Sequence, residues 1–250
     1  MKKIISGSTL KILAMIFMVI DHLGQVVLKD GIILNAPYSM FTDGQFDILM
    51  SAVNICHILG RIAFPIFCFL LVEGFFHTHN LKKYILNLVI FALISEPIYD
   101  LACTGTLFNL EQQNVLFTLL LGLIILTIIK KFNKNVIISF LTIAIGAYIS
   151  YISNLDGWYY GIALISVFYL FHDMPVLKYT ASILVMYICG LNFTIRGLID
   201  PYFLTAATSL LFISIYNGER GMKIKYFFYI FYPGHLFIFY LVNLILIKII

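Results

Sequence analysis

Nine runs of mostly apolar residues, each near the length that crosses a bilayer as a helix, fill the 250-residue chain. A helix covers roughly 30 Å of hydrocarbon with about 20 residues at 1.5 Å each. The runs lie at roughly 8–28, 50–76, 83–103, 114–130, 135–152, 158–172, 176–192, 198–216 and 226–248. Pro65 is expected to bend the second, because proline removes one backbone bond. Hydrophobic residues make up 62% of the chain and charged residues 11%, against roughly 45–50% and about 25% in soluble domains. Polar residues this scarce cannot cover a soluble exterior, so the excess must face lipid. The same composition excludes disorder and a disulfide-rich secreted scaffold. The expected fold is an all-α polytopic membrane bundle of about nine helices, with eight to ten allowed, forming one domain over residues 1–250.

Charge orients this bundle. With the N-terminus in the cytoplasm, eleven of the 16 basic residues fall on inner loops: Lys2, Lys3, Lys82, Lys83, Lys130, Lys131, Lys134, Lys178, Arg220, Lys223 and Lys225. The outer segments carry Asp30, Asp43, Asp47, Glu111, Asp156 and Asp200. Cytoplasmic enrichment in Lys and Arg is the usual orienting bias. The net charge of +4 therefore marks loops beside anionic lipid, and no nucleic-acid partner is expected. Met1-Lys2-Lys3 precedes an apolar run with no small-residue cleavage site, and Asp21-His22 interrupts that run, so it reads as a retained first helix. Cys56, Cys68, Cys103 and Cys189 lack paired spacing, and no metal-ligand signature is present.

Ionisable groups inside membrane helices are costly and mark candidate sites. Lys11 and His22 are eleven residues apart, which is three turns plus roughly 20°, so they share a face about 16 Å apart along the axis. Lys11 is either a snorkelling lysine or part of a site. His22, beside Asp21, is either a helix-end histidine or a reactive one. Asn54, His57 and Arg61 line one side of the second run at i, i+3, i+7 spacing. Arg61 stays protonated and needs a carboxylate, an anion or water. Glu96 and Asp100, four apart around Pro97, are its expected partners, and such a pair would either be structural or serve a site. His235, nine residues into the last run, is a packing residue, a general base or a hydrogen-bond donor to an acyl group. Glu73 lies near an inner helix end with its orientation open, and His77 and His79 read as interfacial. Neither a phosphate loop nor a Gly-x-Ser-x-Gly elbow is present. Histidine with carboxylate or arginine leaves proton transfer or acyl transfer.

The stretches LKILAMIFMVIDHLG (10–24), GRIAFPIFCFLLVEGFFHT (60–78), LISEPIYDL (93–101), NVLFTLLLG (114–122), YNGERG (216–221) and KYFFYIFYPGHL (225–236) resemble the TraX family of conjugal-transfer membrane proteins along almost the whole chain. That resemblance implies N-terminal acetylation of a pilin subunit, in the bacterial cytoplasmic membrane. A more distant likeness is to integral-membrane acyltransferases that acetylate cell-surface glycans. Those have a basic residue and then, eleven positions later, a histidine on the first helix, as Lys11 and His22 do. They also carry an Arg-x-x-x-Pro-x-Phe-Phe pattern similar to Arg61–Phe67, followed here by Cys68. The chain departs from them in having Lys11 for arginine, and Glu73 where they have serine. The implied donor is cytoplasmic acetyl-CoA, its phosphates meeting Lys11, Lys82, Lys83 and Arg220. The implied acceptor is an amine or hydroxyl of a peptide, glycan or lipid-linked precursor. The expected catalytic set is His22, Asp21, Arg61, His235, Glu96 and Asp100. The rival expectations are a proton-coupled transporter using the same groups as a relay, and a non-catalytic assembly factor.

Overall fold

A computed structural model describes residues 3–190, 195–222 and 225–249. Lys2, Lys223 and the end of the seventh run at 191–192 lie outside the described residues. These residues form ten α-helices: α1 Gly7–His22, α2 Asp43–Gly60, α3 Ala63–His77, α4 Leu81–Thr104, α5 Val115–Lys131, α6 Val136–Ile152, α7 Trp158–Leu170, α8 Pro175–Gly190, α9 Pro201–Ser214 and α10 Lys225–Ile249, counted among the described residues. A π-helical segment, Leu23–Ile33, continues α1. Helix starts coincide with residues whose side chains can accept from the free backbone N–H groups of a first turn. Ser6, Asn80, Asn114, Asn135 and Asp200 do this for α1, α4, α5, α6 and α9. Thr42 and Gln45 form a reciprocal capping box at α2. Gly105, at φ +71°, closes α4 in the left-handed conformation that glycine adopts without penalty.

The bend expected at Pro65 is a break one turn earlier. The N–H groups of Arg61 and Ile62 bond Ile58 and Leu59, three residues back, and α3 restarts at Ala63. Pro65 explains the position. Its ring excludes the carbonyl of Arg61 and it offers no N–H to it, while at the third place of α3 that missing N–H costs no helical bond.

Among the described residues each apolar run is helical, the second being divided between α2 and α3. Among the described residues four helical stretches are long and apolar enough to cross a membrane: Gly7–Ile33, Asp43–His77, Leu81–Thr104 and Tyr226–Ile249. Val136–Ile152, Trp158–Leu170, Pro175–Cys189 and Pro201–Ser214 are apolar but shorter. α7 is short and buried nearly all round, with Ile162, Leu164, Ile165 and Phe168 fully enclosed. It packs on α3, α5, α6 and α8 and forms the axis of the bundle. α6 instead exposes Val136, Ile137 and Phe140, the surface of a helix that faces an apolar solvent.

The two ends of the bundle are built differently. At one end the 216–222 loop lies across the start of α1, where Gly7 and Ser8 donate to the carbonyls of Glu219 and Arg220. Met222 donates to the Ser8 hydroxyl. At the other end the α2–α3 break meets the α6–α7 turn and the start of α9, and an internal cavity opens there.

Candidate functional site

The cavity, about 260 Å³, is lined by His22 and Asp21 of α1, Arg61 of the break, Asp156 of the α6–α7 turn, Tyr202 of α9 and Tyr232 of α10. Each polar side chain arrives by a different route. His22 is the last residue of α1, at the point where the helix widens into its π-helical continuation. Asp21 is brought against the end of α2 because Gly60 has no side chain: a Cβ there would lie 2.4 Å from Asp21. This places the Asp21 carboxylate 2.9 Å from His57 Nδ1 and 3.5 Å from Arg61. Arg61 also donates through Nε to the His57 carbonyl and lies over the Tyr202 ring. Tyr202 in turn donates to Asn54. The guanidinium is thus tethered on two sides and, at 46% exposure, stands where the cavity meets the surface.

His22 Nδ1 is 2.7 Å from His235 Nε2, with the two rings stacked. His235 Nδ1 lies 2.8 Å from the Phe231 carbonyl. A carbonyl only accepts, so His235 Nδ1 carries a proton and, in a neutral ring, Nε2 is the acceptor. His22 Nδ1 must then be the donor, which leaves Nε2 as the lone-pair nitrogen of His22. A backbone carbonyl fixes the tautomer of the second imidazole through the first. The same bookkeeping makes His57 Nδ1 a donor to Asp21, so the carboxylate beside His22 in sequence orients His57 in space.

Glu96 and Asp100 do not meet Arg61. Glu96 Oε2 accepts from both the backbone and side-chain nitrogens of Asn114, and Asp100 Oδ2 accepts from the Asn109 backbone. α4 packs on α5 and α10, which turns its carboxylates toward the 105–114 loop. They fasten that loop, and Arg61 finds Asp21 instead. Asp156 supplies the cavity with a further carboxyl that the sequence showed only as a loop charge. It accepts from Gln112, its carbonyl accepts from Thr118, and burial pushes its carboxyl up to about 6, against the opposing pull of Arg61.

Lys11, Lys82, Lys83 and Arg220 lie toward the opposite end. Lys11 reaches over the Phe228 ring, Lys82 and Lys83 occupy the exposed first turn of α4, and Arg220 is exposed in the loop over α1. Glu73 forms its own cluster at that end. Its carboxylate is 3.0 Å from His172 Nε2 and 3.5 Å from His77 Nε2, and His172 Nδ1 is 2.7 Å from Asp173. His172 thus lies between two carboxylates, Glu73 at Nε2 and Asp173 at Nδ1. The His172 contact holds the exposed Asp173 carboxyl below its usual range. Among the described residues no group of three or more His, Cys, Asp or Glu side chains is placed to hold a metal.

The chain is 29% identical to the probable fimbrial assembly protein FimC, serogroup H1, of Dichelobacter nodosus, over an alignment of 250 residues that covers 92% of this chain and 93% of the relative. No solved structure matches it. The family model described as TraX protein matches residues 6–243, so the chain is a membrane-helix protein that belongs to the TraX family.

Proposed function

We propose that this chain is a multi-pass membrane acyltransferase of about nine crossings, with its N-terminus in the cytoplasm. It moves a short acyl group, acetyl by family resemblance, from cytoplasmic acyl-CoA to an amine or hydroxyl of a pilin-like peptide or cell-surface acceptor. The observation that carries this reading is the Phe231–His235–His22 chain, which leaves a lone pair on His22 Nε2 in a ring that lines the same cavity as Arg61.

The step balances with these groups alone. His22 Nε2 takes the proton of the acceptor as its nitrogen or oxygen attacks the thioester carbonyl carbon. Arg61 faces the oxygen that becomes negative, an interaction strengthened where water is scarce. His235 Nε2 accepts from the His22 Nδ1–H and so stabilises the imidazolium that forms. The carbon–sulfur bond then breaks, and the thiolate leaves with the proton from His22. Asp21, held by His57 and Arg61, positions the guanidinium. The lysines at the inner end, with Arg220, attract the phosphates of the donor. In membranes carrying the chain, labelled acetyl-CoA is expected to lose its label to an acceptor. His22→Ala membranes that transfer at the same rate would refute the mechanism.

A second reading is a non-catalytic assembly factor. It is favoured by the name of the FimC relative, and by Glu96 and Asp100, whose buried charges fasten a loop. Surface-fibre assembly that survives replacement of both His22 and His235 would support it over the enzyme.

A further inference from the structure

The apolar wall of the cavity is made by a ring seated on glycines. Phe64, the second residue of α3, lines the cavity with Met18, Phe67 and Met186, while Asp21, His22, Arg61 and Asp156 form its polar corner. The tip of the Phe64 ring rests on Gly157, which also lines the cavity, and on Gly161, one turn apart at the start of α7. A Cβ on Gly157 would lie 2.4 Å from Phe64 Cζ, and one on Gly161 would lie 2.7 Å from it. The Gly161 Cβ would also meet Thr118 Cγ2 at 2.8 Å. Gly157 has φ +82°, which explains a glycine there by backbone alone. Gly161 lies inside a helix, where glycine costs about 1 kcal/mol against alanine. What glycine supplies at 161, a position that does not line the cavity, is room for the tip of a ring that does.

The cavity of about 260 Å³ equals the space of roughly nine waters, more than the three heavy atoms of an acetyl group fill. With the reacting carbonyl at the His22–Arg61 corner, the remaining space is walled by apolar side chains, the surroundings an alkyl tail prefers. We infer that Phe64 on its Gly157–Gly161 seat is the gauge that sets the largest acyl group transferred, and that the cavity admits short acyl chains longer than acetyl. This rests on the acyltransferase reading.

The test uses the full chain in proteoliposomes with a short acceptor peptide carrying a free amino terminus and a serine, and with acetyl-, butanoyl-, hexanoyl- and octanoyl-CoA, following release of free CoA thiol. Wild-type protein should use butanoyl-CoA at least as well as acetyl-CoA. Gly161→Ala should lower the hexanoyl-to-acetyl ratio of kcat/KM about tenfold, and Phe64→Ala should raise it by a similar factor, the scale of one or two methylenes in an apolar pocket. The opposite directions guard against a variant that merely folds poorly. Turnover with the same chain-length profile in all three proteins overturns the gauge and leaves the enzyme standing. Turnover with no acyl-CoA in any of them overturns the acyltransferase reading and the gauge with it.

Discussion

His22 and His235 are bonded ring to ring, Nδ1 to Nε2 at 2.7 Å, with their planes within 9° of parallel. The pair joins α1 to α10 across 213 residues of sequence, so one imidazole orders the other. Replacing His235 with Phe keeps a ring in place but frees His22 to adopt either tautomer. The expected result is a fall in kcat of about 10²-fold, within the range set by general acid–base catalysis, with KM for acyl-CoA unchanged. Steady-state kinetics over a donor series checks the split. A raised KM with kcat intact would instead assign His235 to donor binding.

Gly60 is what lets Asp21 reach Arg61. Gly60→Ala places a methyl group against the Asp21 carboxyl, so the guanidinium loses its tether while His22, Asp21 and Arg61 all remain. Turnover should drop at least tenfold, and Arg61→Lys should not recover the wild-type rate, because one ammonium cannot hold Asp21 and the His57 carbonyl as a planar fork does. Both variants are compared by the rate of CoA release per folded protein.

Asp156 predicts a pH dependence of stability. Its carboxyl, raised from the ordinary value of 3.8 to about 6 by burial, binds a proton more tightly in the folded chain than in the unfolded one. That contribution to stability is complete below about pH 4 and is lost as pH rises through about 6. Asp156→Asn, which keeps the shape and cannot ionise, should flatten the thermal unfolding midpoint over that window and raise it above pH 6. Identical pH profiles for the two proteins would contradict the account of this residue.

The Glu73 cluster gives a separate stability prediction. Glu73 is almost fully buried and accepts from His172, so Glu73→Ala strands a donor between α3 and the α7–α8 turn. The loss should be about 2 kcal/mol, the scale of a buried charge-assisted bond whose partner is removed. Thermal unfolding in detergent measures it, and acyl transfer per folded molecule should be spared.

The helices were legible because their signals are local. Ser6, Asn80, Asn114, Asn135 and Asp200 stand close to where apolar runs begin and each caps its helix, whereas Thr42 starts α2 at Asp43, ahead of the run expected from 50. The pairing of charges was not legible. The sequence pairs Arg61 with Glu96 and Asp100 on the next apolar run, whereas α4 packs away from it and the partner comes from α1. Gly60, a residue without a side chain beside Arg61, is the signal for a close helix approach. His57 shared a face with Arg61 in the sequence, yet its bond to Asp21 depends on how α1 and α2 cross. Asp156 is one of several outer-loop carboxylates in the sequence, and only the α6–α7 turn brings it to the cavity wall, while the contact of Glu73 with His172 joins residues 99 apart.

The most direct measurement is acetyl transfer by purified protein in proteoliposomes, given acetyl-CoA and a short peptide with a free amino terminus and a serine. Acetylated peptide and free CoA should appear in equal amounts with the wild-type chain, and His22→Ala should reduce both by 10²-fold or more, the scale of losing a general base. Undiminished transfer by His22→Ala, in protein that unfolds at the wild-type temperature, would contradict the account.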